Sequence, residues 1–127
     1  MGTPDIGAIA KIGCQLIELQ LTLVSEQAED VIEDLWVLGY FFGVFDAMGR
    51  RAKLEKYTDG FNLITIGFFN LMHGPEQGAV PLRLALDSHA NLRFLDGNMT
   101  GGTDVFGWLS EQKTPPMQLV KYLNASS

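Results

Sequence analysis

Polar side chains mark one continuous stripe through the first third of the chain: Lys11, Gln15, Glu18, Thr22, Glu26, Glu29 and Glu33. The steps are four, three, four, four, three and four residues, which is helical spacing with no phase slip. Opposite lie Ile9, Ile12, Leu16, Leu19, Leu23, Val24, Val31, Leu35 and Leu38. The pattern predicts one long amphipathic helix starting at Ile6 behind a capping Asp5, or two helices nearly in register with a kink at Ser25. Ile17 to Leu23 also alternates as a strand would, but its Leu, Gln and Glu content favours helix. Gln20, Gln27 and Asp34, seven apart, interrupt the apolar side. A helix–helix seam with polar register positions has that spacing, and so does chance at the edge of a broad apolar face.

Beyond Asp34 the polar face disappears. Leu35, Trp36, Val37, Leu38, Tyr40, Phe41, Phe42, Val44 and Phe45 require a helix surrounded on all sides. Gly39 and Gly43 each cost about 1 kcal/mol of helix propensity, so a close approach by another helix is the expected compensation. Asp46 follows at the edge of this core, with Arg50 one turn on as its natural partner.

Further along, Thr58-Asp59-Gly60 reads as a stop and a new start. A short buried helix is expected over Phe61 to His73, ending at Gly74-Pro75, with a strand as the competing reading. Pro81 to Leu95 reads as a ragged helix, or as a hairpin over 82–95 because Leu82, Leu84 and Leu86 alternate. Asp96 to Thr103 reads as a loop and Asp104 to Gln112 as a short helix. Thr114-Pro115-Pro116 opens a last helix through Leu123. No internal repeat and no interdomain linker stand out. The expectation is one helical domain over residues 1–127, an all-α bundle of four to six helices with one long N-terminal amphipathic helix. An α+β arrangement with the small hairpin is the alternative.

Composition sharpens this picture in one direction. Only 19% of the 127 residues are charged while 46% are apolar, so apolar surface is either exposed or covered by another subunit. A homo-oligomer, most simply a dimer through the first helix, is therefore expected. The net charge of −6 argues against a nucleic-acid partner. The single Cys14 fits a reducing, cytoplasmic compartment. Met1 to Asp5 lack the basic start of a signal peptide. The most membrane-like stretch, Leu35 to Phe45, is eleven residues long, about half of what a span needs. No membrane span is expected.

Candidate chemistry is sparse. Trp36, Tyr40, Phe68 and Phe69, with Asp46 nearby, could line an apolar pocket for an aromatic or aliphatic small molecule. Arg50, Arg51, Lys53 and Lys56 could meet an anion or acidic partner, or simply complement a helix end. Asp96, Asn98, Thr100 and Asp104 place oxygen ligands as an EF-hand loop does, but Gly107 stands where the bidentate Glu belongs. Gly97, Gly101 and Gly102 could cradle a phosphate. His73, Asp87 and His89 could form a small metal-dependent site. Cys14, on the apolar face, reads as a core residue. No cofactor is implied. The function these features favour is a non-enzymatic, oligomeric interaction or regulatory module, ahead of a small-molecule binding protein and a metal-dependent enzyme.

Overall fold

Asp5 caps α1 (Ile6–Leu23), its carboxylate accepting the Ala8 N–H at 3.0 Å. The computed structural model describes residues 5–54, 56–110 and 114–125. Within them the chain continues as α2 (Ala28–Val31), α3 (Leu35–Arg51), α4 (Tyr57–Leu71), α5 (Pro75–Asp87), α6 (Leu92–Leu109) and α7 (Gln118–Ala125). The all-α bundle is what forms, with seven helices among the described residues rather than four to six. The hairpin over 82–95 does not form: Leu82 to Asp87 complete α5, and Asn91 opens α6 by accepting the Arg93 and Phe94 N–H groups.

The polar stripe is solvent-exposed at all seven positions, but three pieces carry it. Ser25, at φ 58, ends α1, and the Glu26 N–H bonds back to the Leu21 carbonyl at 2.9 Å. Lys53 (φ 57) and His73 (φ 66) close α3 and α4 the same way, with Leu54 bonding to Gly49 and Gly74 to Phe69. These are left-handed helix ends built on residues other than Gly or Asn. The sequence offers a kink at Ser25 and a stop at Gly74-Pro75 after His73, but nothing marks the end at Lys53. By length and composition α1 is long and apolar enough to cross a bilayer; one face packs on α3 and α4, and Lys11 and Glu18 lie on its exposed stripe.

Every residue from Trp36 to Phe45 is buried, as an all-apolar helix demands. Its principal neighbour is α6, which runs straight through the expected loop at 96–103. The expected end of that segment at Gln112 lies outside the described residues. Gly39 faces Phe94 and Gly43 faces Asn98, so the two helices are parallel. A Cβ on either glycine would stand 2.8 Å from the opposing carbonyl carbon. The contact is reciprocal: Gly97 faces the Trp36 carbonyl and Gly101 the Tyr40 carbonyl, where an added Cβ would stand 2.9 and 3.2 Å from the carbonyl carbons.

That reciprocity exposes a repeat, contrary to the expectation of none. Gly39, Gly43, Asp46 and Gly49 on α3 match Gly97, Gly101, Asp104 and Gly107 on α6, each 58 residues on. Swapping the two helices exchanges the Gly39–Phe94 contact with Gly97–Trp36, and Gly43–Asn98 with Gly101–Tyr40. The pair thus has a local two-fold relation along its length, and its two flanks are equivalent in backbone but not in occupancy.

Candidate functional site

On one flank of the α3–α6 pair the two-fold seam holds a buried polar network. Tyr40, from the middle of α3, donates its hydroxyl to Asp104 Oδ2 at 2.6 Å. Gln20, fully buried on α1, donates Nε2 to the same hydroxyl at 2.8 Å. Gln20 Oε1 then accepts the N–H groups of Leu119 and Val120 at 3.0 and 3.3 Å, and Asp104 Oδ2 accepts that of Gln118 at 3.1 Å. The first turn of any helix has no carbonyls of its own to bond. Side chains of α1 and α6 supply them here, so α7 is capped entirely in trans.

A second cluster holds α7 one turn further on. The Tyr122 ring stacks on Trp36 at 4.0 Å between centroids, and its hydroxyl donates to Asp34 Oδ2 at 2.8 Å. The Arg93 guanidinium meets Asp34 at 3.2 Å and also reaches the Tyr122 hydroxyl. Burial alone would raise the Asp34 pKa, but the bonds from Tyr122, Arg93 and the Trp36 and Val37 N–H groups outweigh it and hold the carboxyl below its ordinary value.

The reactive groups of the core are all committed. Burial, joined by the Asp104 hydrogen bond, pushes the Tyr40 phenol far above its usual range, so it stays a neutral donor. Burial pushes the Cys14 thiol up to about 12, with Glu18 adding to the effect, and its Sγ–H points to the Gly67 carbonyl at 3.4 Å. A thiol held neutral in this way is a poor nucleophile. Among the described residues no buried side-chain nitrogen or oxygen lacks a partner. The network is a clamp on α7, and Asp104 also lines an open groove with Met99, Thr103 and Thr114.

Asp104 gives the clamp a pH signature. Burial raises its pKa against the opposing pull of Tyr40, the Gln118 N–H and Lys121. The folded protein therefore binds this proton more tightly than the unfolded chain. Its contribution is full below the unfolded value of about 3.9 and declines as pH rises through the raised value. Asparagine in its place keeps one acceptor oxygen and removes the titration. In urea melts, Asp104→Asn should gain stability relative to the native protein between pH 3.5 and 7 (on the order of the ordinary carboxylate range and neutrality). A difference constant with pH would show that Asp104 titrates as it does in the unfolded chain.

The residues expected to line one aromatic pocket do not converge. Trp36, Tyr40 and Phe68 are buried parts of the core. Trp36 and Tyr40 stack at 5.5 Å on the α7 side, while Phe68 packs against Phe45 at 5.9 Å on the α4 side. Phe69 lies against Gly78 of α5. Trp36, Tyr40 and Phe68 fill space instead of enclosing it, while the half-buried Phe69 edges an open groove with Ile66, His73 and Pro75. Asp46 stands apart from them, paired with Arg50 at 3.1 Å as the spacing predicts. The two side chains are 35% and 74% exposed, so the pair contributes only a few tenths of a kcal/mol.

Arg50, Arg51, Lys53 and Lys56 do gather around one turn, between α3 and α4. Arg51 is spent on the Leu109 carbonyl at 2.6 Å, tying the ends of α3 and α6 together, and Lys56 is the N-cap residue of α4. Two open grooves meet at Asp46 and Arg50. One, of about 530 Å³, runs past Leu54, Lys56, Tyr57 and Phe61. The other, of about 800 Å³, lies between α3 and α6.

The calcium-like quartet is corrected by the helix that carries it. Asp96 accepts the Trp36 indole N–H at 2.9 Å, and Thr100 donates to the Asp96 carbonyl. Asn98 sits at the Gly43 crossing, and Asp104 is in the clamp. Ligands for one ion must converge within about 2.5 Å of it, and these are dispersed along α6. Gly97 and Gly101 are buried in the seam, which removes the phosphate cradle. His73 and His89 flank the 13 residues of α5, about 20 Å of helix. The His89 ring stands against Phe42 and Phe94. Among the described residues no three His, Cys, Asp or Glu side chains could hold a metal.

The chain matches no known protein family, and no curated protein or solved structure is significantly similar to it. Two clamp residues, Gln20 and Asp34, did carry a sequence signal as polar interruptions of an apolar face. Gln27, the third of that series, is exposed.

Proposed function

We propose that this protein is a helical interaction module that works as a homo-oligomer, most simply a dimer. The observation that carries the reading is the display of large apolar side chains in helical register on exposed faces. Ile12, Leu19 and Leu23 form one such stripe on α1, and Leu92, Leu95, Met99 and Phe106 another on α6. Contiguous apolar surface of this kind marks contact with another macromolecule. The core supports the reading from the other side, because its polar groups are consumed in holding helices together. Sedimentation at micromolar concentration should give a mass of twice 14.0 kDa. A species that remains at the single-chain mass would overturn the proposal.

A further inference from the structure

The second flank of the α3–α6 pair differs from the first in what covers it. On the first, Tyr122 of α7 stacks on Trp36, and the first turn of α7 brings the buried Leu119 and Val120 to the Asp104 end. On the second, His89 takes the place of Tyr122, its ring 4.9 Å from Phe94, the two-fold counterpart of Trp36. Among the described residues nothing takes the place of the first turn of α7. At that position, beside Asp46, lies the open groove of about 800 Å³ over Gly43, Ala47 and Gly102.

The wall of this groove is a ridge that fits such a groove. Leu92, Leu95, Met99, Gly102 and Phe106 follow one another by three, four, three and four residues, the spacing of a helix–helix seam. Leu92 is 82% exposed, Met99 72% and Phe106 46%. A surface carrying a ridge beside its own groove is self-complementary under a two-fold axis. Charge supports one orientation. Arg50, 74% exposed beside its partner Asp46, stands at the carboxyl end of α3, and the exposed Asp87 ends α5 ahead of α6, where Arg93 is already paired with Asp34. Antiparallel docking brings Arg50 of each copy toward Asp87 of the other, which offsets repulsion between chains of net charge −6.

We infer that the α3–α6 groove is the self-association face of this protein, with Met99 and Phe106 of each copy seated over Gly43 and Ala47 of an antiparallel second copy. The inference rests on the oligomeric reading above and names the face it uses. Its test is sedimentation of the full chain with three sets of variants. Met99→Glu, at a position exposed in the single chain, should weaken dimerisation at least about tenfold with an unchanged melting profile of the monomer. Leu19→Glu, on the competing stripe of α1, should leave the dimer intact. Arg50→Glu should weaken it, and Arg50→Glu with Asp87→Arg should restore it. A native dimer that survives Met99→Glu but is lost with Leu19→Glu moves the interface to α1 and overturns this inference while the oligomeric reading stands. Failure of the double charge reversal to restore association overturns the antiparallel arrangement. A native protein that is monomeric overturns the oligomeric reading itself.

Discussion

Gly97→Ala should come close to unfolding this protein. The added methyl would lie 2.9 Å from the Trp36 carbonyl carbon and 3.0 Å from the Tyr40 backbone nitrogen, and neither can move without the rest of α3. Overpacking a core of flexible side chains costs about 1–3 kcal/mol. Here the obstruction is backbone, so the two helices must separate along their whole seam, and the cost should reach or exceed the top of that range. A domain of this size has only about 5–15 kcal/mol to lose. Gly39→Ala should behave alike, because the two-fold relation makes it the reciprocal contact. Gly60→Ala provides the contrast. Gly60 is helical in α4 and a Cβ there meets nothing within 4 Å, so alanine should stabilise by about 0.5–1 kcal/mol. Urea melts of the three variants check this, and a near-native midpoint for Gly97→Ala would show that the helices are further apart.

The same seam explains which parts of the fold were legible in the sequence. The all-apolar run at 35–45 can only be a surrounded helix, and Gly39 with Gly43 announces a close neighbour. The neighbour itself is disguised. Asp96, Gly97, Asn98, Gly101 and Gly102 are turn formers, and three glycines cost a helix about 3 kcal/mol of propensity. Packing against α3 overrides that cost, and it is visible only when the two glycine spacings are laid side by side. The left-handed helix end at Lys53 is hidden for a related reason, since Lys does not favour the conformation that its surroundings impose, whereas Ser25 was legible as a possible kink. Asp46 with Arg50 was legible because an i,i+4 pair is set by the helix alone. The aromatic pocket was not, since Trp36, Tyr40 and Phe68 have the same composition whether they enclose a void or fill it. Only the placement of α6 and α7 decides between these.

Gln20→Leu should release the C-terminal helix while leaving the rest of the bundle folded. Leucine has a similar size, so the packing of α1 is kept, but it can neither accept the Leu119 and Val120 N–H groups nor donate to Tyr40. Each backbone donor left buried without a partner costs about 1–3 kcal/mol, and two are orphaned at once. The loss of about 2–6 kcal/mol falls on a helix of eight residues, too short to persist undocked in water. Local release is therefore the cheaper response: α7 detaches and its N–H groups return to solvent. Hydrogen exchange should then accelerate over Leu119 to Tyr122, whereas amides of α3 beside the glycine seam should keep their protection. Asp34→Ala tests the second cluster, and it should loosen Tyr122 without freeing the first turn that Gln20 and Asp104 cap. If Gln20→Leu leaves exchange in α7 unchanged, the Trp36–Tyr122 stack and the Asp34 contacts hold the helix by themselves. Equal acceleration in α3 would mean that α7 and the central pair unfold as one cooperative unit, with the clamp as part of the core.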